Sequence, residues 1–149
     1  MLALAGPSSH HGLVDARRSE AVRRFLGAGR FAVVGASRNR DKYGNKVLRC
    51  YLQHGLPVVA VHPSETEVEG VSCVPSLRSV PEGTRAASVV APPSAAGRIV
   101  EDAISGGIEH LWFQPGAEEE GAVEAARRAG ISVIADGTCF LVVMGYREG

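Results

Sequence analysis

Three times in this sequence a helix-like stretch breaks at glycine and enters a short apolar run: "QHGLPVV" (53–59), "SGGIEHLW" (105–112) and "RAGISVI" (128–134). Glycine ends a helix at little cost because it accepts the left-handed conformation. The device therefore predicts helices and strands in alternation. The β-prone runs are "FAVVG" (31–35), "PVVAV" (57–61), "ASVVA" (87–91), "HLWF" (110–113) and "SVIA" (132–135). Each is nearly continuous in apolar residues, as strands covered on both faces of a parallel sheet must be. Between them, Val47, Leu48, Tyr51 and Leu52 share one helical face, as do Ile99, Val100, Ala103 and Ile104. Val123, Ala126 and Ala129 form a weaker stripe, and Val22, Phe25 and Leu26 mark a helix over 16–28. The expectation is a single doubly wound α/β domain, with a mainly parallel five-stranded sheet flanked by helices. Right-handed crossovers then fix most of its topology.

Residues 62–86 interrupt the alternation. They are rich in Pro, Gly, Glu and Ser, and predict a long connection with a short strand near Val71–Val74 and one turn of helix near Ser76–Val80. Residues 1–15 read as a loose N-terminal tail and 16–149 as the domain. The 16 basic and 16 acidic residues cancel, whereas a nucleic-acid-binding domain usually carries a basic excess. No apolar run approaches the ~18 residues of a membrane span. Cys50, Cys73 and Cys139 are scattered and form no C-x-x-C pair, so neither a disulfide framework nor a zinc site is indicated. A reducing compartment is expected: the cytoplasm, with the mitochondrial matrix left open. The expected partner is a small molecule, with no nucleic acid and no membrane. A protein partner is unknown from sequence, and a homodimer stays open.

In an open parallel sheet, ligands bind beyond the carboxyl ends of the strands, where strand order reverses. Five loops occupy those ends: Gly35–Tyr43, His62–Ser64, Ala91–Pro93, Gln114–Gly116 and Asp136–Cys139. In the first, Gly35 and Ala36 let backbone approach an anion and Ser37 adds a hydroxyl. A helix beginning near Gly44 points its free N–H groups and positive dipole end at the loop. Arg38, Arg40, Lys42 and Lys46 add charge, and are expected to select for phosphate. The alternative is a solvated basic turn. Gly35 is expected to serve the ligand, so that Gly35→Val removes binding and spares the fold. A nicotinamide dinucleotide would want G-x-G-x-x-G and an acidic residue after the second strand; this chain has one glycine before Gly44, and His62 in the acidic position. A Walker loop is absent. A mononucleotide bearing several phosphates fits better.

The pieces "FAVVGAS", "YGNKVLRCYLQHGLPVVAVHP", "GVSCVPSL", "SVVAPPS", "LWFQPGAEEE" and "AGISVIADGTC" occur in that order over roughly residues 20–140. In this the chain resembles the small CoA-binding proteins, relatives of the CoA-binding domain of the succinyl-CoA synthetase alpha subunit. The resemblance implies a Rossmann-like fold with coenzyme A, or an acyl-CoA, lying across the strand carboxyl ends. It implies phosphate contacts from Gly35, Ala36, Ser37 and the region Lys42, Tyr43, Gly44, Asn45 and Lys46, with Arg38 beside them. It implies adenosine and pantetheine walls from His62 and Pro63, from Ala91, Pro92 and Pro93, and from Gln114, Pro115 and Gly116. Relatives often carry a basic residue just after the proline that follows the second strand. Ser64 and Glu65 stand there, so Arg38, Arg40 or Lys42 is left to meet a 3′-phosphate.

No Ser-His-Asp set, metal cluster or carboxylate pair stands out, so no catalytic or metal-binding residue is assigned. Cys139 follows the last strand and falls near the expected crevice. It reads either as a thiol close to the CoA sulfur or as a small buried filler, and free cysteine commonly plays the second part. Glu118–Glu120 sits where a helix start favours carboxylates. The leading expectation is a CoA-binding carrier, sensor or regulatory module without its own chemistry. A small CoA- or nucleotide-dependent transferase is the alternative, and an NAD(P)-binding domain the third reading.

Overall fold

Successive residues of the first strand, β1 (Phe31–Val34), go to opposite sides of the sheet. Phe31 and Val33 join one apolar cluster, Ala32 and Val34 the other, and all four are buried. A strand so enclosed has no polar face to show, which is why its sequence lacks alternation. A computed structural model of the chain describes residues 20–148. The expected tail, and the start of the helix expected over 16–28, lie outside the described residues. Residues 20–26 are helical (α1). After β1 come α2 (Tyr43–Gln53), β2 (Val58–Val61), β3 (Glu67–Val68) and β4 (Val71–Val74), then a 3₁₀ turn at Leu77–Ser79 and β5 (Ala86–Val89). A second 3₁₀ turn (Pro93–Ala95) leads into α3 (Ala96–Ser105), β6 (His110–Phe113), α4 (Glu120–Arg128), β7 (Ser132–Ile134) and α5 (Phe140–Met144). No helix among the described residues is long and apolar enough to cross a membrane.

The sheet has seven strands, in the order β3-β4-β2-β1-β5-β6-β7. All neighbours are parallel except β3 and β4. The five expected strands are present, and the expectation of five is corrected by two more. The short strand expected near Val71–Val74 is present, and it is part of the sheet. It adds to the sheet through Ala60↔Cys73 and Val61↔Val74, and β3 folds back on it. A two-residue strand and a partly exposed neighbour carry no apolar run, so sequence does not reveal them as sheet.

One face carries α3 and α4, with Ile99, Val100, Ala103, Val123 and Ala126 packed on Leu111 and Phe113. The other carries α1, α2 and α5. There Phe25 stacks on Phe31 (5.6 Å), Phe31 meets Tyr51 (5.2 Å), and Tyr51 stacks on Phe140 (4.3 Å). Phe140 and Phe25 each set an edge against Trp112, at 5.3 and 5.2 Å, which closes the cycle. Phe140 is thus the anchor of α5, a five-residue helix that sequence did not suggest. Its stretch FLVVM has no polar face, and Val142 is 79% exposed.

Two glycines set how α2 meets the sheet. A Cβ on Gly35, whose φ is +92°, would overlap the Val90 carbonyl oxygen after β5. A Cβ on Gly44 would overlap the Gly35 carbonyl oxygen. Gly35 therefore serves the fold itself, and the expectation that Gly35→Val spares the fold is corrected. Gly44 holds the role that the third glycine plays in dinucleotide folds, close helix–strand packing.

The long connection is tied to this corner. Glu69 and Gly70 both have positive φ, 53° and 77°, and close the β3–β4 hairpin. Two positive values suit a tight two-residue hairpin turn, but glutamate rarely adopts one. Its carboxylate accounts for the exception. Oε1 accepts from Arg40 (2.7 Å) and Oε2 from Asn45 Nδ2 (3.0 Å). Asn45, fully buried, also donates to the Ser37 carbonyl (2.7 Å) and accepts from Arg49 Nε (2.6 Å). The Asn45 hydrogen bond, with Arg40 and Arg49 nearby, outweighs burial and holds the Glu69 carboxyl below its ordinary value of 4.5.

Two outcomes follow from this corner. Gly44→Ala would gain helix propensity, by up to about 1 kcal/mol in an open helix. Here denaturant unfolding should show a loss of about 1–3 kcal/mol, because the methyl meets backbone that cannot turn aside. A stabilised variant would show that α2 is free to move. Glu69→Gln should destabilise the protein near pH 7 by about 1 kcal/mol or more, since an ionised acceptor is lost. A depressed carboxyl contributes its stability above pH 4.5 and loses it as pH falls through the folded value. Unfolding curves of wild type and variant should therefore converge below that pH and stay parallel above it.

Candidate functional site

The chain enters the sheet at its middle. It winds out through β2 and β4, then returns to β5 on the other side of β1. Strand order reverses between β1 and β5, and a cleft of about 480 Å³ opens over their carboxyl ends. Its floor and near wall are Gly35, Ala36, Ser37, Lys42, Tyr43 and Gly44. His62, Ala91, Pro92, Gln114, Pro115 and Gly116 complete the predicted set it brings together. Val90 and Ala117 also line it. Sequence reasoning missed both, because an apolar strand end and a buried alanine carry no signal of their own.

The β1–α2 loop is shaped from within. Ser37 Oγ accepts from Asn39 N–H (3.1 Å), Asn39 Oδ1 from Asp41 N–H (3.0 Å), and the Asn39 carbonyl from Lys42 N–H (3.0 Å). Side chains that bond their own backbone two residues on are the usual means of stiffening such a turn. Lys42 occupies the N-cap position of α2 in extended conformation and gives no side-chain cap. Among the described residues, the N–H groups of Ala36, Ser37, Tyr43 and Gly44 donate to no acceptor. Uncapped N–H groups at a helix start, beside loop N–H groups on a glycine bend, favour a bound anion.

The charge at this site is less than the sequence suggests. Arg38 pairs with Glu65 (3.4 Å) and Arg40 with Glu69 (2.7 Å), both acids coming from the connection after β2. Lys46 pairs with Glu148 (3.4 Å), near the end of the chain. Among the described residues Lys42 makes no ion pair, and it is exposed at the cleft. Six predicted site residues do not line the cleft: Arg38, Asn45, Lys46, Pro63, Pro93 and Cys139. Asn45 is the buried tie between loop and hairpin, Lys46 is turned to Glu148, and Pro63 and Pro93 are exposed beside the wall. Arg38 stands outside with Glu65. His62 is organised by its own turn, its Nδ1 accepting from the N–H groups of Ser64 and Glu65 (both 3.1 Å).

Cys139 does not line the cleft directly but stands behind one wall residue. The Tyr43 hydroxyl lies 2.6 Å from Cys139 Sγ and donates to Gln114 Oε1 (3.2 Å). Gln114 Oε1 also accepts from the Phe140 N–H (2.8 Å), which fixes the orientation of the amide. The Gln114 side chain is fully buried, and its Nε2 has no partner among the described residues. The Trp112 indole N–H donates to the Thr138 carbonyl (2.9 Å) and pins the same β7–α5 loop. Burial first, then the hydrogen bond and charge of Cys139, raise Tyr43 far above its ordinary value, so it remains a neutral phenol. Burial, with Cys139 adding, pushes the Cys50 thiol up to about 11. Burial likewise raises Cys73 and lowers His110, neither of which lines the cleft. Among the described residues no three His, Cys, Asp or Glu side chains gather as a metal site would require.

A larger cleft, about 700 Å³, lies along α4. Glu118, Glu120 and Glu124 face Arg127 and Arg128 there. Its walls are the flank of α4, Glu118 just before it and Ala135, away from the reversal of strand order. The smaller cleft is therefore the candidate site.

Known proteins are similar to this chain in sequence and fold. A conserved hypothetical protein from Pyrococcus furiosus is 37% identical, superposes with a TM-score of 0.72, and covers 76% of this chain and 97% of its own. A hypothetical protein from Pyrococcus horikoshii is 29% identical with a TM-score of 0.78, over 95% of both chains. A dinucleotide-forming acetyl-coenzyme A synthetase 1 of Ca. Korarchaeum cryptofilum is 27% identical (TM-score 0.67), over 73% of this chain and 26% of that one. An ADP-forming acetate–CoA ligase of Archaeoglobus fulgidus is 29% identical over 113 residues, 69% of this chain. The chain spans only 16% of that ligase. Residues 29–144, which hold every strand of the sheet and the whole cleft, match the CoA binding domain, and the chain belongs to that family.

Proposed function

We propose that this protein binds coenzyme A or an acyl-CoA in the cleft at the β1/β5 reversal. It acts as a carrier, sensor or regulatory module with no chemistry of its own. The observation that carries this reading is the set of N–H groups at Ala36, Ser37, Tyr43 and Gly44 that, with Lys42 at its edge, find no partner among the described residues. Those groups suit the pyrophosphate. His62 and the Ala91-Pro92 and Gln114-Pro115-Gly116 walls suit the adenosine and the pantetheine arm. Family membership supports the same ligand. A nicotinamide dinucleotide is disfavoured by His62, whose ring is committed to the turn that follows β2. A thermal-shift panel of CoA, acetyl-CoA, NAD, NADP and ATP tests this. A ligand at 100 times its dissociation constant adds ~2.7 kcal/mol of apparent stability. CoA and acetyl-CoA should stabilise most; no response to either, or an equal response to NAD, would refute the reading.

Of the four basic residues that sequence assigned to phosphate, only Lys42 is expected to matter strongly. A charge-assisted hydrogen bond contributes ~1.5–3 kcal/mol. Lys42→Ala should thus weaken CoA by at least tenfold, about 1.4 kcal/mol, and flatten the salt dependence of binding. Lys46→Ala, which removes a partner of Glu148, should leave affinity within about twofold. Titration calorimetry at two salt concentrations separates them, and equal losses would mean that Lys46 leaves Glu148 for the ligand.

A further inference from the structure

Directly behind one residue of the cleft wall stands a thiol that the proposed binding role does not use. Cys139 Sγ is 2.6 Å from the Tyr43 hydroxyl, and Tyr43 lines the cleft. Cys139 is half-buried, neither sealed in the core nor open on a loop tip. The second observation is independent of the sulfur. Gln114, also in the wall, is wholly buried with an unpartnered Nε2, while its Oε1 is held by Phe140 N–H and the Tyr43 hydroxyl. A buried N–H donor costs stability when unpaired, and an acceptor from outside the described residues would relieve that cost. A flexible arm bearing amide carbonyls and ending in sulfur supplies one: a carbonyl for Gln114 and a sulfur for Cys139.

We propose that Cys139 is a thiol-exchange site for the disulfide form of the cofactor bound in this cleft. The inference rests on the CoA reading above. In the step, the Cys139 thiol gives its proton to solvent. The thiolate attacks the CoA-side sulfur of a CoA disulfide. The old S–S bond breaks as the Cys139–CoA bond forms, and the departing thiolate takes up a proton. Cys139 is oxidised to the mixed disulfide, and the leaving sulfur is reduced to a thiol. Tyr43 stays a phenol throughout. Because Gln114 Oε1 keeps the Phe140 N–H, the Tyr43 proton is free to turn from Gln114 to the thiolate. Charge-assisted donation of that kind is the stronger bond. Cys50 is buried and Cys73 lies off the cleft, so neither competes.

The test uses the reduced full chain with CoA disulfide or, in parallel, oxidised glutathione, followed by intact-mass and peptide mass spectrometry. CoA disulfide should modify Cys139 about tenfold faster or more than oxidised glutathione does, since binding supplies the proximity. Excess desulfo-CoA, which fills the cleft but cannot react, should slow it, and Cys139→Ser should show no adduct on that peptide. Equal rates for the two disulfides, preference for Cys73, or no adduct on Cys139 would overturn the proposal. Melting with desulfo-CoA runs alongside. Stabilisation without an adduct sinks the exchange site alone. No stabilisation by desulfo-CoA sinks the cofactor reading, and this inference with it.

Discussion

Two carbonyl oxygens govern where α2 can lie. The Val90 oxygen occupies the space a side chain at position 35 would need, and the Gly35 oxygen occupies that of position 44. With glycine at both places, the first turn of α2 rests directly on the end of β1, beside β5. That contact is what puts uncapped N–H groups over the reversal of strand order, where no strand crosses to fill the space. Of the residues between the glycines, Ala36 and Tyr43 pack against the core, while 37–42 are polar. They close their own turns through Ser37 and Asn39, so the loop is shaped before any ligand arrives, and preorganisation of that kind lowers the cost of binding.

Charge around the site is arranged by the connection that interrupts the α/β alternation. Its acids return to the first loop, Glu65 to Arg38 and Glu69 to Arg40. The Arg38 pair is exposed and adds little stability, since such pairs are worth ~0–1 kcal/mol. Its larger effect is on the local potential, because among the described residues Lys42 alone of the four basic residues makes no ion pair. The buried part is more demanding. Arg49 is 6% exposed and meets Asn45, the Arg40 carbonyl and Glu148, with the Tyr146 ring 5.6 Å from its guanidinium carbon. A buried cation costs several kcal/mol unless so surrounded. The surroundings come from α2 itself, the first loop and the end of the chain, so this one arginine ties α2 to two other segments.

Sequence disclosed the strands that run through the core and the loops at their carboxyl ends, because continuous apolar runs and helix-ending glycines are local signals. It did not disclose β3, β4 as sheet, or α5, whose existence depends on partners: β2 for β4, and the aromatic cycle for Phe140. The same division runs through the site. Gly35, Ala36, Ser37, His62 and Gln114 were legible from their place after strands. The pairing of Arg38, Arg40 and Lys46 was not, since their acids lie 27, 29 and about a hundred residues away. Asn45 was expected at phosphate as part of the region that the resemblance implies, yet its side chain turns inward to the Ser37 carbonyl. Gly35 was assigned to the ligand because sequence shows what glycine permits and not which neighbour requires it.

The aromatic cycle and the polar wall of the cleft are one construction. Phe140 closes the ring of Phe25, Phe31, Tyr51 and Trp112 with its side chain, and with its backbone N–H it fixes Gln114 Oε1. Trp112 holds the Thr138 carbonyl from the same ring. The well-packed face therefore leaves the Gln114 amide only one orientation, with Nε2 unpaired. Turning the amide over would give Nε2 the Tyr43 oxygen but set an N–H against the Phe140 N–H, two donors facing each other. An unmet buried donor costs about 1–3 kcal/mol, a substantial part of a stability that is usually ~5–15 kcal/mol. The same packing that completes the aromatic cycle thus sets a fixed donor behind the cleft, and a ligand that brought an acceptor to Gln114 would gain that difference as binding energy.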